Sequence, residues 1–469
     1  MTIFNHMLAI KNATIIDGTG AAPVHSATLL VGGDGRIAEL GPDREVNIPA
    51  GVQTIDGTGA FLIPGLMDAN VHLVATRTPD TLIEFEGKYH ELALEAAELT
   101  LKYGVTTVFD TWGPTEPVTD TRDSINAGTA VGSRVFCAGN IIGLGGPLSS
   151  DFVAPGTLLE RGTVARINQT WERGVGPQLL TRSVEQIEDA VAAYIEETDV
   201  DFLKWAATDH LAAAGSMTFQ LFSERAQLAM QDTAHSYGKT TQAHTTTVDS
   251  LRISVDLGVD VLQHGDMTVG QPAPEELLDR IADDGIPTAA LICTREYLNW
   301  SESSPAAAGH RDMRRNSATN QRGLLARGAR MLLTTDGFAY GPRISGHPGF
   351  RAGTLTPEVP DLPVQLGFSH INWITGAFQL GMEPMEVLRS ATSYPAAAYQ
   401  VDADLGTLEV GKVADILMLG ADPLLGADAY TEIREVIKEG AIIDRNALAQ
   451  HLQLGVDLRA ELPESGSRA

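Results

Sequence analysis

The sequence predicts a parallel (β/α)8 barrel of the TIM type, carrying a small β-sandwich assembled from both chain ends. Three observations predict it. Between about residues 65 and 400, eight short apolar runs alternate with longer segments of helical spacing. The segments on either side lack that alternation and consist of short strands split by Gly-rich turns. At 469 residues, the chain exceeds one simple core and calls for a large domain with an appendage. An open doubly wound sheet is the competing arrangement for the same alternation.

The eight runs are "GLMDANVHL" (65–73), "VTTVFDTW" (105–112), "RVFCAGN" (134–140), "VDFLKWAA" (200–207), "TTQAHTT" (240–246), "VDVLQHG" (259–265), "IPTAALIC" (286–293) and "ARMLLTTDG" (329–337). Segments between them carry helix boundaries. "SVEQIEDAVAAYIEE" (183–197) opens with Ser183 and places Gln186 three residues on, a capping-box pattern. "SERAQLAMQDTAHSYGK" (223–239) stops at Gly238, and "PEELLDRIADDG" (274–285) begins with Pro and acids and ends on Gly. The flanks "LAIKNATIID", "SATLLVGGDGRIAELG" and "VQTIDGTGAFLIP" pair by character with "DLGTLEVGKVADILML" and "IREVIKEGAII". The expected domains are therefore a discontinuous sandwich, 1–63 with 404–469, and a barrel, 64–403.

A net charge of −27 argues against nucleic acid and anionic membrane surfaces as partners. No run approaches the length of a membrane span, and the first residues lack a basic-then-apolar leader. With two distant cysteines, Cys137 and Cys293, a reduced cytoplasmic protein is expected. The expected partner is a small-molecule substrate, and the expected assembly a homo-oligomer, dimer or tetramer.

The C-terminal strand ends of such a barrel form the active-site face. They read Asn70 and His72 on strand one, Lys204 on strand four, His244 on strand five, His264 on strand six and Asp336 on strand eight. Asp68, Asn70 and His72 share one strand face, because side chains alternate. One strand-end histidine is most often structural; convergence of this whole set on one mouth is not. Imidazole and carboxylate donors suit zinc, cobalt or manganese, with an open position for water. Asp336 is the candidate base for that water, its alternatives being a plain ligand or a turn residue in "TTDG". Lys204, if buried and deprotonated, can take up carbon dioxide as a carbamate, although a solvated or ion-paired lysine is the commoner state.

These motifs, in order, resemble the amidohydrolase superfamily. "FLIPGLMDANVHL" resembles its strand-one H-x-H motif; "LKW", "QAHT", "LQHG" and "TTDG" match later ligand positions, and "LRSATSYPAAAYQVDADLGTLEVGKVADILML" (388–419) its C-terminal signature. The imidazolonepropionase-like subgroup is nearest. Asn70 departs from that pattern, where the family has histidine, and N-x-H is shared with phenylurea hydrolases and carbamothioate (molinate) hydrolase. The resemblance implies hydrolysis of a C–N or C–S bond in an N-substituted urea, carbamate, thiocarbamate or amide, with one tightly bound zinc or cobalt ion (manganese being the other option). It also implies a ligand set of His72, Lys204, His244, His264, Asp336 and Asn70, the last either a weak ligand or a hydrogen-bonding group.

Trp112, Trp205, Tyr297 and Phe338 lie at or beyond strand ends and are candidate substrate walls, as is His210 after strand four. "GNIIGLGGPLSS" (139–150) is read as a pocket-shaping loop or a connector. "YGKTT" (237–241) lacks the P-loop register. A prolidase-like dipeptidase or lactam hydrolase is the enzymatic alternative and would need a cation for the substrate carboxylate, Arg295 or Arg343. A non-catalytic assembly protein on the same fold is the alternative of another class.

Overall fold

The computed structural model describes residues 7–75, 79–150, 152, 159–209, 218–338, 359 and 361–449. It begins with five strands: β1 (Leu8–Ile15), β2 (Val24–Val31), β3 (Ile37–Pro42), β4 (Gln53–Asp56) and β5 (Phe61–Pro64). Asn12, in the left-handed region at φ 60°, kinks β1, so its first half pairs with β4 and its second half with β5. Gly57 makes the crossing possible: a Cβ there would stand 2.8 Å from both Ala13 Cβ and the Lys11 carbonyl oxygen.

Eight parallel strands follow, in the positions of the eight runs: β6 (Leu66–Val71), β7 (Val105–Asp110), β8 (Arg134–Cys137), β9 (Phe202–Ala206), β10 (Thr240–His244), β11 (Val261–Gln263), β12 (Thr288–Ala290) and β13 (Met331–Leu333). Their ladders form two parallel sheets, β6-β7-β8 and β13-β12-β11-β10-β9. Parallel bridges join the sheets at both seams, Ile142 to Trp205 and Val71 to Gly337, so the strands close on themselves. The seams interrupt the ladder for physical reasons. At one, Gly139 (φ 70°) turns the chain out of β8 before Ile142 resumes pairing with the Lys204 and Ala206 backbone. The "GNIIGLGG" segment is thus partly a continuation of strand three. At the other, Asp336 adopts φ 52°, which breaks strand geometry while its N–H still bonds the Asn70 carbonyl at 2.9 Å.

Between strands, the helix Val184–Thr198 has both halves of the capping box of Ser183 and Gln186. The helix Glu224–Ser236 stops before Gly238 (φ 68°), and Pro274 caps the helix Glu275–Asp283. No helix among the described residues is long and apolar enough to cross a membrane. Cys137 and Cys293 are free and buried.

The chain returns through β14 (Ile416–Leu419), β15 (Ile433–Lys438) and β16 (Ala441–Ile442), and β14 pairs antiparallel with β5. The chain ends meet here. They form one hydrogen-bonded sheet, β16-β15-β14-β5-β1-β2-β3 with β4 on β1, so the two end segments pair with each other as the sequence leads one to expect. Alternate residues of its central strands serve two cores: Leu62, Ile416 and Met418 pack among the small-sheet residues, while Ile63, Leu417 and Leu419 pack into the large core of strands and helices. That two-sided burial fastens the sheet to the rest.

A charged clamp strengthens the join. Arg134, at the start of β8, reaches Asp415 and, at 2.6 Å, Glu439. Arg134 and Asp415 are nearly enclosed, with side chains 12% and 7% exposed. Arg134→Ala strands those carboxylates, and a loss of about 3–5 kcal/mol is expected from urea unfolding. A loss below about 1 kcal/mol would place the pair among ordinary surface bridges.

Candidate active site

The polar ends of β6, β7, β9, β10 and β11, with Asp336 three residues beyond β13, converge on one buried cluster. Asn70, His72, Lys204, His244 and His264 are each no more than 5% exposed. Asp336 keeps its side chain 20% exposed, so its carboxylate is the reachable group of the set. Backbone strain marks the same place: His264 (φ 61°) and Asp336 (φ 52°) both occupy the left-handed region, where non-glycine residues are uncommon.

A hydrogen-bond chain threads the cluster. Lys204 Nζ donates to Thr111 Oγ1 at 2.9 Å, and the Thr111 hydroxyl donates to Asn70 Oδ1. Asn70 Nδ2 then donates to Asp336 Oδ1 at 3.0 Å, the oxygen that His72 Nε2 also approaches at 3.0 Å. His264 Nε2 stands 3.9 Å from it, and the His244 ring meets the His264 ring edge-on with centroids 5.1 Å apart. Since a carboxylate only accepts, the amide orientation of Asn70 is fixed: nitrogen to Asp336, carbonyl to Thr111. The Asn70 carbonyl is therefore engaged by a hydroxyl, and the residue acts here as a brace for Asp336.

Below this chain, Asp68 bolts strand one to strand eight. Its carboxylate accepts from the Thr335 hydroxyl at 2.6 Å and the Thr335 N–H at 3.1 Å. Asp110 similarly receives the Leu73 N–H at 2.8 Å and the Trp112 N–H at 3.2 Å. Burial raises the two carboxyls, Asp68 to about 7 and Asp110 to about 6.

The site residues titrate differently. Burial alone would raise the Asp336 carboxyl, but the His72 hydrogen bond and the charges of His264, His72 and Lys204 hold it well below the usual range. Burial pushes His264 down to about 4, against the pull of Asp336, so its imidazole is neutral at pH 7. Burial likewise lowers Lys204 to about 8, with Asp336 and Asp110 opposing. An ionised carboxylate beside the neutral His264 imidazole and two further imidazole rings is a donor set suited to a divalent transition metal. The buried Nδ1 atoms of His72 and His264 have no hydrogen-bond partner among the described residues, a cost that native structures rarely leave standing. Among those residues no group of three or more His, Cys, Asp or Glu forms a preformed ion cage; the donors engage one another instead.

The aromatic candidates separate. Trp112 meets His72 edge-on at 5.8 Å and stacks on Phe152, while Phe338 lies tilted over His72 at 5.0 Å. These two wall the His72 side. Trp205 does not: it neighbours inward-facing Lys204 on β9, so alternation turns it outward, where it is fully buried and donates to Gln227 Oε1 at 3.0 Å. Tyr297 sits on the helix Arg295–Ser303, 5.6 Å from Trp300. Of the two cation candidates, Arg295 is exposed. His210 and Arg343 lie outside the described residues.

A model of the amidohydrolase family matches residues 61–444. The chain belongs to the amidohydrolase family. Members of this family are typically metal-dependent. Molinate hydrolase, whose structure is solved, is 31% identical with a TM-score of 0.89, matched over 99% of each chain. Phenylurea hydrolase B is 34% identical with a TM-score of 0.87, covering 94% of this chain and 98% of its own. A Xaa-Pro dipeptidase at 19% identity and TM-score 0.73, covering 93% of this chain and 99% of its own, shares the fold. A deacetylase of Agrobacterium fabrum is 34% identical over 93 residues, 20% of this chain and 19% of that protein. This amidohydrolase thus spans about a fifth of that relative's length.

Thr111 is the functional neighbour that strand-end motifs miss, since it ends a strand carrying no histidine. Thr111→Val keeps its shape but removes both the hydroxyl on Asn70 and the acceptor for the Lys204 amine. A destabilisation of about 1–3 kcal/mol is expected, the cost of unsatisfied buried polar groups, with turnover falling as Asp336 loses its brace. Unchanged stability and turnover would make the hydrogen-bond chain incidental.

Proposed function

We propose that this amidohydrolase is a metal-dependent hydrolase that cleaves the C–N or C–S bond of an N-substituted urea, carbamate, thiocarbamate or amide, of the phenylurea or molinate type. The fold is read as a (β/α)8 barrel with a β-sandwich-like appendage, whose strand ends form the active-site face. The observation that carries the reading is the Lys204–Thr111–Asn70–Asp336–His72 chain, which places the N-x-H motif directly on the carboxylate of strand eight. The neighbours at 31% and 34% identity support the substrate class.

A divalent transition-metal ion, zinc or cobalt with manganese as the alternative, would be held by His72, His244, His264 and Asp336, and would supply Lewis acidity and an activated water. Asp336 accepts the proton of the attacking water and delivers it to the departing amine or thiol. Asn70 and His72, both on its Oδ1, hold the carboxylate in one orientation. Trp112 and Phe338 form an apolar wall for an aryl or alkyl substituent. Lys204, lowered by burial, can add carbon dioxide to its free amine, releasing one proton and leaving a carbamate as a further oxygen donor. For a urea, the products are an amine and a carbamic acid, which loses carbon dioxide to give a second amine.

The test is a hydrolysis screen of aryl ureas, thiocarbamates and acyl-amino acids with metal-supplemented protein. Turnover of at least one urea or thiocarbamate is expected. Cleavage of dipeptides alone would transfer the protein to the dipeptidase alternative.

A further inference from the structure

Two residues before Thr111, Lys204 and His244, and on the same strand faces, stand Phe109, Phe202 and Gln242. They belong to the layer of inward side chains next to the site. Phe109 and Phe202 pack there in an apolar core, but Gln242 on β10 is an amide, fully buried. A buried amide is costly unless it is hydrogen-bonded. Its partner comes from the returning chain: Tyr399 follows the helix Ser393–Ala398 and enters the same core. The Tyr399 ring stacks on Phe109 with centroids 3.6 Å apart and meets Phe202 edge-on at 5.1 Å.

The Tyr399 hydroxyl both accepts and donates. It receives Gln242 Nε2 at 2.6 Å and donates to the Ala69 carbonyl at 2.6 Å. Gln242 Oε1 in turn accepts from Gln263 Nε2 at 2.6 Å. Each of these partners adjoins a site residue: the Ala69 carbonyl belongs to the peptide that leads into Asn70, Gln242 is two residues before His244, and Gln263 immediately precedes His264. Backbone ladders do not make these ties. β6 lies in a different sheet from β10 and β11, and its register with β7 slips between Asp68 and Val71, where Ala69 sits. We infer that the Tyr399 hydroxyl is a positioning group that sets the spacing of the metal-binding strand ends, by tying the peptide of Asn70 to the strands that carry His244 and His264. It acts through those residues and through the rigidity of a buried, satisfied network. The returning segment 388–419 thereby supports the active site as well as closing the small sheet.

This inference rests on the metal-dependent reading, and the experiment separates the two. Cobalt affinity is measured by chelator competition for the unmodified protein and for Tyr399→Phe, each folded by circular dichroism at the working temperature. Phenylalanine keeps the ring stack and removes only the hydroxyl. Cobalt affinity should fall about 10- to 100-fold, the usual cost of removing a group that supports a ligand. The visible absorption of the bound cobalt should change with its ligand geometry. Tyr89→Phe is the control, because that hydroxyl is also a buried donor, to the Leu82 carbonyl at 2.8 Å, but on the helix Tyr89–Lys102 outside the barrel strands. It should lose stability and keep its cobalt affinity. Should Tyr399→Phe fail to fold, Gln242→Met cuts the link to β10 while leaving the Tyr399 bond to Ala69, and it should weaken cobalt in the same way. Cobalt held as tightly by the folded variant as by the unmodified protein overturns the inference and leaves the metal reading intact. An equal loss in Tyr89→Phe would make the effect one of general stability and also overturns it. An unmodified protein that binds no cobalt removes the metal reading, and this inference with it.

Discussion

Asp336→Asn should lower turnover by about 10²–10⁴-fold, the usual cost of removing a general base, while the fold and most bound metal persist. Asparagine tolerates the left-handed backbone of this position (φ 52°) about as well as aspartate. Its carbonyl oxygen can still accept from Asn70 Nδ2 and His72 Nε2, so the local hydrogen bonds survive. What it cannot do is take up the proton of the attacking water. Paired measurements of turnover and metal content decide the matter. Loss of metal in proportion to activity would make Asp336 chiefly a ligand.

His264→Ala should lose both metal and nearly all activity. Altering a group that merely supports a ligand costs about 10- to 100-fold in affinity or activity, so removing a ligand itself should exceed the upper end of that range. Buried and held neutral by a pKa of about 4, His264 offers its lone pair without first releasing a proton at pH 7. Alanine at φ 61° also strains the backbone, which could unfold the loop for reasons unrelated to metal. His264→Asn accepts that backbone and still lacks the imidazole, so it should fold yet lose the ion. Normal metal content in a folded His264→Asn protein would remove His264 from the ligand set.

Much of this arrangement was legible in the sequence because two simple periodicities carry it. The eight apolar runs mark the eight parallel strands, since buried strands must be apolar until they reach the mouth. For the same reason, polar residues closing those runs identified Asn70, His72, Lys204, His244, His264 and Asp336, which the structure brings together. Alternation along β9 could also have excluded Trp205 once Lys204 was turned inward. The strand order of the small sheet was not legible, because hydrophobic alternation fixes which face is buried, not which neighbour supplies the hydrogen bonds. Thr111 was hidden for a related reason. Its role comes from the partners the tertiary fold gives it, Asn70 and Lys204.

In the proposed function, hydrolysis depends on a transition metal held by the strand-end cluster. The most direct test of that dependence is one preparation followed through metal removal and return, with ion content and aryl-urea or thiocarbamate hydrolysis measured at each stage. About one tightly held zinc or cobalt ion per chain is expected, with activity lost as that ion is chelated and recovered as it is restored. Full hydrolytic activity in protein stripped of metal would contradict it.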